Sequence, residues 1–138
     1  MARLEFGELD GLLLSMEEIA AIPDAVLAEM LNAAGDVVVR EQRNTAASML
    51  QGPYNRGAVA AAVRRKKPRR KKDGASLEIT FDGTQHGTRL AEIAFINEFG
   101  KKGQAARPFV RTANERCAGE ATEAQARVYD AWLKGKGL

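Results

Sequence analysis

Two joined motifs near the C-terminal end constrain this chain more than any other feature. The segment AFINEFG, residues 94–100, is apolar and aromatic-rich and stops at a glycine, and ARPFVR, residues 106–111, follows a short glycine and lysine loop. Because proline has a fixed φ that suits the first helical position, Pro108 predicts the start of a helix. The pair therefore predicts a short helix over residues 89–99, a turn at Gly100 and a terminal helix.

Apolar residues after Pro108 recur in steps of three and four, the spacing of one face of an α-helix. The series is Val110, Ala113, Cys117, Ala121, Ala124, Val128 and Trp132. We expect this helix to reach about Lys134. Cys117 is the single cysteine and lies on the apolar face, so we interpret it as a buried apolar side chain.

A second long helix is predicted from Pro23 to about Leu50, because Asp24 places a carboxylate at the positive end of the helix dipole. Turn-forming residues follow at 51–57. Residues 76–81 alternate apolar and polar side chains and predict a strand. These elements indicate an α+β fold in a single domain, residues 1–138, with a small, mostly antiparallel sheet packed against two long helices.

The N-terminal half leaves several alternatives open. Residues 3–6 alternate charged and apolar side chains and predict a short edge strand. A first helix begins either at about Glu8 or after Ser15, which has the capping-box spacing to Glu18. The alanine-rich residues 58–63 fit a short helix or a strand, and residues 84–88 fit a loop or a hairpin turn.

A dense basic block separates the two halves of the chain. It holds eight of the 21 basic residues, and the remaining 13 stand against 18 acidic residues, a net charge of −5. Like charges around a proline repel one another, so the block predicts a long mobile loop over residues 64–74. Its candidate phosphate contacts are Arg64, Arg65, Lys66, Lys67, Arg69, Arg70, Lys71 and Lys72.

Nucleic-acid contact through this block is expected to be non-specific. No aromatic residue interleaves the basic residues to stack on bases. No helix-turn-helix or zinc-ligand spacing surrounds them. Each Lys or Arg that neutralises a phosphate would make binding strongly dependent on salt.

The sequence offers no arrangement typical of catalysis, so no catalytic residue, metal or cofactor is predicted. His86 is the only histidine and cannot by itself build a histidine metal site. The segment GKKG, residues 100–103, lacks the spacing of a phosphate-binding loop. No signal segment or membrane span is recognised, and one cysteine suits a reducing, cytoplasmic origin.

The order of these features resembles the tail-component or neck family of long-tailed bacteriophages and prophages, which includes head-tail connector and tail-completion proteins. The most specific similarity lies in residues 95–100 and 106–109, and the rest is a similarity of pattern. NRGAV, residues 55–59, departs from the family, where Thr-Gly followed by leucine is frequent.

The resemblance implies a non-enzymatic virion protein, present in the host cytoplasm during assembly, that forms an oligomeric ring between the capsid connector and the tail tube. Its partners would be copies of itself, other connector or tail proteins and, through the basic block, genomic DNA. The alternative is a small DNA-binding accessory protein that uses residues 64–72. The motif residues expected to fix the turn and the start of the last helix are Phe95, Glu98, Phe99, Gly100, Arg107, Pro108 and Phe109.

Overall fold

A computed structural model of the chain describes residues 3–5, 16–51, 57–71 and 74–137. A small antiparallel sheet lies against two long helices, which confirms the predicted α+β class. In chain order the elements are β1 (Arg3–Glu5), α1 (Met16–Ala21), α2 (Asp24–Met49), α3 (Ala58–Ala62), β2 (Val63–Arg65), β3 (Arg69–Lys71), β4 (Gly74–Phe81), β5 (Thr84–Gln85), β6 (Thr88–Arg89), α4 (Leu90–Phe99) and α5 (Phe109–Gly135).

The strand β4 is the centre of the sheet. Ser76 pairs with Glu5 of β1 on one side and with Arg69 of β3 on the other, both antiparallel. The strand β2 continues that second edge, with Val63 opposite Phe81. The register shifts by one residue between β2 and β3, so residues 66–68 form a bulge in one long hairpin arm.

The alternation predicted for residues 76–81 is confirmed. Leu77, Ile79 and Phe81 are buried, whereas Glu78 between them is exposed. The strand begins two residues earlier than predicted, at Gly74, because β3 pairs with its first three residues.

Both long helices are confirmed, and each begins one residue after its proline. The carbonyl oxygens of Pro23 and Pro108 accept hydrogen bonds from the N–H groups of Leu27 and Thr112, each at 3.0 Å. Each proline thus occupies the capping position, where its fixed φ sets the direction of the helix and its missing N–H is not needed.

The helices α2 and α5 pack side by side over much of their length. Cys117 is 2% exposed within this packing, which confirms its predicted burial, and that burial raises the pKa of its thiol. Arg40 donates two hydrogen bonds to Glu120 across the helix pair.

The other side of α2 packs on the sheet. Gly35 allows the close approach of Leu77, because a Cβ at Gly35 would lie 3.1 Å from Leu77 Cδ2.

The open alternatives resolve in part. The helix alternative holds for residues 58–62, which form α3, and Val63 begins the strand β2. Residues 84–89 form a hairpin whose central residues, His86 and Gly87, both have positive φ, as a tight hairpin turn of the primed type requires. The predicted edge strand is confirmed over Arg3–Glu5. Residue 6, the choice between the two starts of the first helix, and residues 52–56 of the predicted turn lie outside the described residues.

The expectation of a mobile loop at residues 64–74 is wrong for residues 64–71. Arg64 and Arg65 lie in β2, and residues 69–71 form β3, so the block is one edge of the sheet. The like charges coexist there because strand alternation points them to opposite faces and because acidic residues of α2 neutralise two of them. None of the described helices is long and apolar enough to cross a bilayer.

Candidate interaction surfaces

The junction between α4 and α5 is built around Gly100. Its N–H donates to the carbonyl of Ile96 at 2.7 Å and ends α4, and its φ of 79° is one that glycine adopts readily. A Cβ at this position would lie 2.9 Å from both the Ala106 nitrogen and the Gln104 oxygen. These are backbone atoms that cannot rotate away, so the turn requires glycine.

The chain then folds back on α4. Lys101 and Gln104 exchange two backbone hydrogen bonds, at 3.0 and 2.9 Å, around Gly103. The return brings the N–H of Arg107 to 2.6 Å from the carbonyl of Asn97. The start of α5 is therefore fixed against the last turn of α4.

Glu98 caps the N-terminus of α5 from the neighbouring helix. Its Oε2 accepts from the N–H of Val110 at 2.8 Å, and its Oε1 accepts from the N–H of Arg111 at 3.0 Å. These N–H groups have no partner within their own helix, and a carboxylate also suits the positive end of the helix dipole. A single side chain thus fixes the direction in which α5 leaves the turn.

Arg107 joins the same turn to the end of α2. Its Nη2 donates to Asn97 Oδ1 at 2.6 Å, and its Nη1 lies 3.4 Å from the carbonyl of Gln51 and 3.5 Å from that of Met49, the last residue of α2. Asn97 is 7% exposed and donates to the carbonyl of Ile93 at 2.9 Å. We call Asn97, Glu98, Gly100 and Arg107 the α4–α5 clamp.

Phe109 anchors the clamp in the core. It is fully buried, and its ring meets that of Phe81 edge to face with the centroids 5.8 Å apart. This arrangement is favourable for aromatic pairs, and it couples the first residue of α5 to the last residue of β4. The predicted roles of Gly100, Pro108 and Phe109 at the turn thus have a clear structural basis.

Phe95 and Phe99 behave differently from the prediction that they help to fix the turn. Their side chains are 59% and 67% exposed, because positions 95 and 99 lie on the outward face of α4 while Ala94 and Asn97 face inward. The two rings, one helical turn apart, contact each other with their planes tilted by 48° and 4.7 Å between centroids.

The two exposed rings border an apolar groove of about 310 Å³. We call it the aromatic groove, and it is lined by Phe81, Ala91, Ala94, Phe95, Glu98, Phe99 and Val110. Phe95 and Phe99 are the large apolar side chains left exposed in the described part of the chain. Exposed apolar surface of this kind is a candidate interaction surface.

The basic block forms a second surface, in which two arginines serve the fold. Arg65 donates to Asp36 Oδ1 at 2.6 Å and to Asn32 Oδ1 at 2.7 Å, both on α2. Arg70 donates to Asp24 Oδ1 and to the carbonyl of Ile22, each at 2.5 Å. These two predicted phosphate contacts are engaged within the protein and hold the hairpin against α2.

The other members of the block differ in how far they are engaged. Arg64 donates to the carbonyl of Ala61 at 2.6 Å, and Lys66 lies 3.7 Å from Glu78 in an exposed ion pair. The side chains of Lys67 and Arg69 are exposed and make no hydrogen bond or ion pair within the described ranges. Lys72 lies outside those ranges. The structure thus separates a block that looks uniform in sequence into residues held by the fold and residues open to solvent.

The two residues weighed as reactive groups lie in different places. His86 is exposed at the tip of the β5–β6 hairpin, whereas Cys117 is buried in α5. No group of three or more His, Cys, Asp or Glu residues that could hold a metal ion occurs in the described part of the chain.

The sequence did not predict the role of Asn97 in the clamp. It also did not predict that Asp36 and Asp24 bind Arg65 and Arg70 of the basic block. A polar residue inside the apolar run of residues 94–99 was the available signal for Asn97. Comparison of the chain with protein-family models, with curated proteins and with solved structures finds no match. The surfaces described above therefore carry the functional argument.

Proposed function

We propose that this protein is a non-enzymatic structural component of the head-tail junction of a long-tailed bacteriophage, a neck or tail-completion protein that assembles with copies of itself into a ring. The proposal combines the resemblance of residues 95–100 and 106–109 to that family with the surface that those residues form. The observation that carries it is the exposed pair Phe95 and Phe99 on α4, a helix whose C-terminal end is held by the clamp.

A rigid apolar surface is suited to repeated subunit contacts. Glu98 and Arg107 tie α4 to α5 and α2, so the two phenylalanines are presented in a fixed position. A surface that is already ordered loses little conformational entropy when a partner covers it. Buried aromatic residues surrounded by polar ones are typical centres of binding energy in protein interfaces.

The size of the patch favours a folded subunit as its occupant. A stable interface buries about 800 Å² on each partner, whereas a phenylalanine buries about 150–250 Å². The aromatic groove therefore supplies the centre of such an interface, and the surrounding polar surface of α4 and of residues 101–104 must supply the rest. We take the occupant to be a second copy of this chain, because a ring closes through heterologous contacts between different surfaces of identical subunits.

The test is the molar mass of the purified full chain, measured by light scattering during size-exclusion chromatography over a concentration series. We expect the wild-type mass to rise above that of the 15.0 kDa monomer. The double variant F95S/F99S should remain monomeric, while the control E123S/R127S, an exposed pair on α5 outside the aromatic groove, should assemble like wild type. A wild-type chain that stays monomeric at every concentration would contradict the proposal.

The alternative, a DNA-binding accessory protein, predicts the reverse combination. It requires a monomer that binds DNA tightly at physiological salt, with no effect of F95S/F99S. The position of the gene beside those for portal, capsid and tail-tube proteins would support the structural role independently.

A further inference from the structure

We infer that the bulge between β2 and β3 is a binding site for the phosphodiester backbone of duplex DNA, centred on Lys67 and Arg69. This site lies on the sheet edge, away from the aromatic groove, and does not depend on the proposed ring assembly. Its support is the shape of the bulge, the strand register that sets the face of Arg69, and the lack of side-chain partners of Lys67 and Arg69 among the described residues.

The bulge borders an open cavity of about 210 Å³. The residues that line it are Lys66, Lys67, Arg69, Arg70, Lys71, Ser76 and Glu78. Arg70 is held by Asp24, so among these described residues four other cationic ones, Lys66, Lys67, Arg69 and Lys71, stand against one carboxylate, that of Glu78. One liquid water occupies about 30 Å³, so a phosphate group fits together with some of its hydration.

Strand register sets which cations point outward. Arg65 and Arg70 pair with Ile79 and Ala75, both buried, and so lie on the face turned toward α2. Arg69 pairs instead with Ser76, so it lies on the opposite face, the one that carries Glu78. Arg65 and Arg70 therefore contact α2 on one face of the sheet, while Arg69 lies on the other face and is available to a phosphate.

The free side chains set the centre of the site. Lys67 and Arg69 are exposed, and neither side chain makes a hydrogen bond or ion pair with a described residue. Lys66 is engaged only by Glu78, at 3.7 Å, with side-chain exposures of 57% and 49%. An ion pair so exposed contributes little, so a phosphate can recruit Lys66 as a third contact.

The chemistry of the lining favours duplex DNA over other polyanions. It contains no aromatic side chain on which an unpaired base could stack, which argues against a single strand. It also contains no large apolar side chain to enter a lipid surface. Because the contacts reach phosphates and not base edges, binding should be independent of sequence.

The experiment is fluorescence anisotropy of a labelled mixed-sequence duplex titrated with the full-length protein, from about 50 mM to about 200 mM salt. The variant is K67Q/R69Q, and the matched control is K101Q/K102Q, which removes the same charge from an exposed turn. The slope of log affinity against log salt is negative, and each lost phosphate contact makes it shallower by about 0.9. The slope of the variant should therefore be shallower than that of wild type by about 1.8. Its affinity at the lowest salt should fall by roughly tenfold or more, and the control should change far less.

Three results would overturn the site. They are no binding of the duplex by wild type at the lowest salt, an equal loss in both variants, and stronger binding to phosphatidylserine vesicles than to the duplex. Arg69→Gln alone, with circular dichroism of every variant, guards against a folding defect. Light scattering on K67Q/R69Q separates this inference from the ring proposal, since the variant should assemble like wild type.

Discussion

The two faces of α4 show how one short motif divides between folding and recognition. On the inner face, Asn97 and Glu98 make short hydrogen bonds to the start of α5 and to Arg107. On the outer face, Phe95 and Phe99 contact each other, border the aromatic groove and are largely exposed. We therefore expect residues that adjoin in sequence to have separate consequences when changed, the inner ones for stability and the outer ones for the proposed association.

The inner face is costly to disturb because its polar groups are matched. A buried donor or acceptor that loses its partner costs about 1–3 kcal/mol, whereas exposed residues are usually replaced for less than about 0.5 kcal/mol. Variants on the inner face should accordingly lower the free energy of unfolding, whereas variants on the outer face should leave it nearly unchanged and weaken the proposed association.

The largest effect is expected from Gly100→Ala. The methyl group would meet backbone atoms at 2.9 Å at a φ of 79°, so we expect a loss of about 3 kcal/mol in the free energy of unfolding. Urea unfolding measures it. Gly103→Ala is the matched control, because Gly103 has a φ of 83° but nothing within 4 Å of an added Cβ. It should lose only about 1 kcal/mol, and equal losses would show that crowding at Gly100 is not decisive.

An intermediate effect is expected from Glu98→Ala. It leaves the N–H groups of Val110 and Arg111 without their acceptor, and loss of a helix cap costs about 1.5 kcal/mol. Glu115→Ala, an exposed carboxylate on α5, should change the free energy of unfolding by less than about 0.5 kcal/mol. The same unfolding measurement applies, and a neutral Glu98→Ala would mean that the cap does not hold α5.

A smaller effect is expected from Arg107→Lys, which keeps the charge but removes the planar fork. The single ammonium cannot reach Asn97 and the carbonyls of Met49 and Gln51 together. We expect a loss of about 1 kcal/mol, with faster amide hydrogen exchange at the end of α2. Unchanged exchange there would show that Arg107 does not connect the turn to α2.

The sequence predicted those parts of the fold that depend on local chemistry. Helix starts at Pro23 and Pro108, the alternation of β4 and the turn at Gly100 all follow from backbone conformation or from the period of apolar residues. The burial of Cys117 followed from the same periodicity. Each of these signals lies within a few residues of the feature it predicts.

What the sequence did not predict depends on partners far along the chain. Arg65 pairs with Asp36 and Arg70 with Asp24, at sequence separations of 29 and 46 residues, so nothing local showed that the basic block would form a sheet edge. The exposure of Phe95 and Phe99 was missed for a related reason. Their apolar character predicts burial, and the packing of α4 against α3, β4 and α5 decides which of its faces is covered.

The most direct test of the division of α4 is the free energy of unfolding of F95S/F99S, measured by urea at a concentration where light scattering gives a monomer for both it and wild type. Both rings are largely exposed in the monomer, so we expect a free energy of unfolding within about 0.5 kcal/mol of wild type. A loss of about 2 kcal/mol or more, as expected for core phenylalanines, would contradict it by showing that the outer face of α4 belongs to the fold.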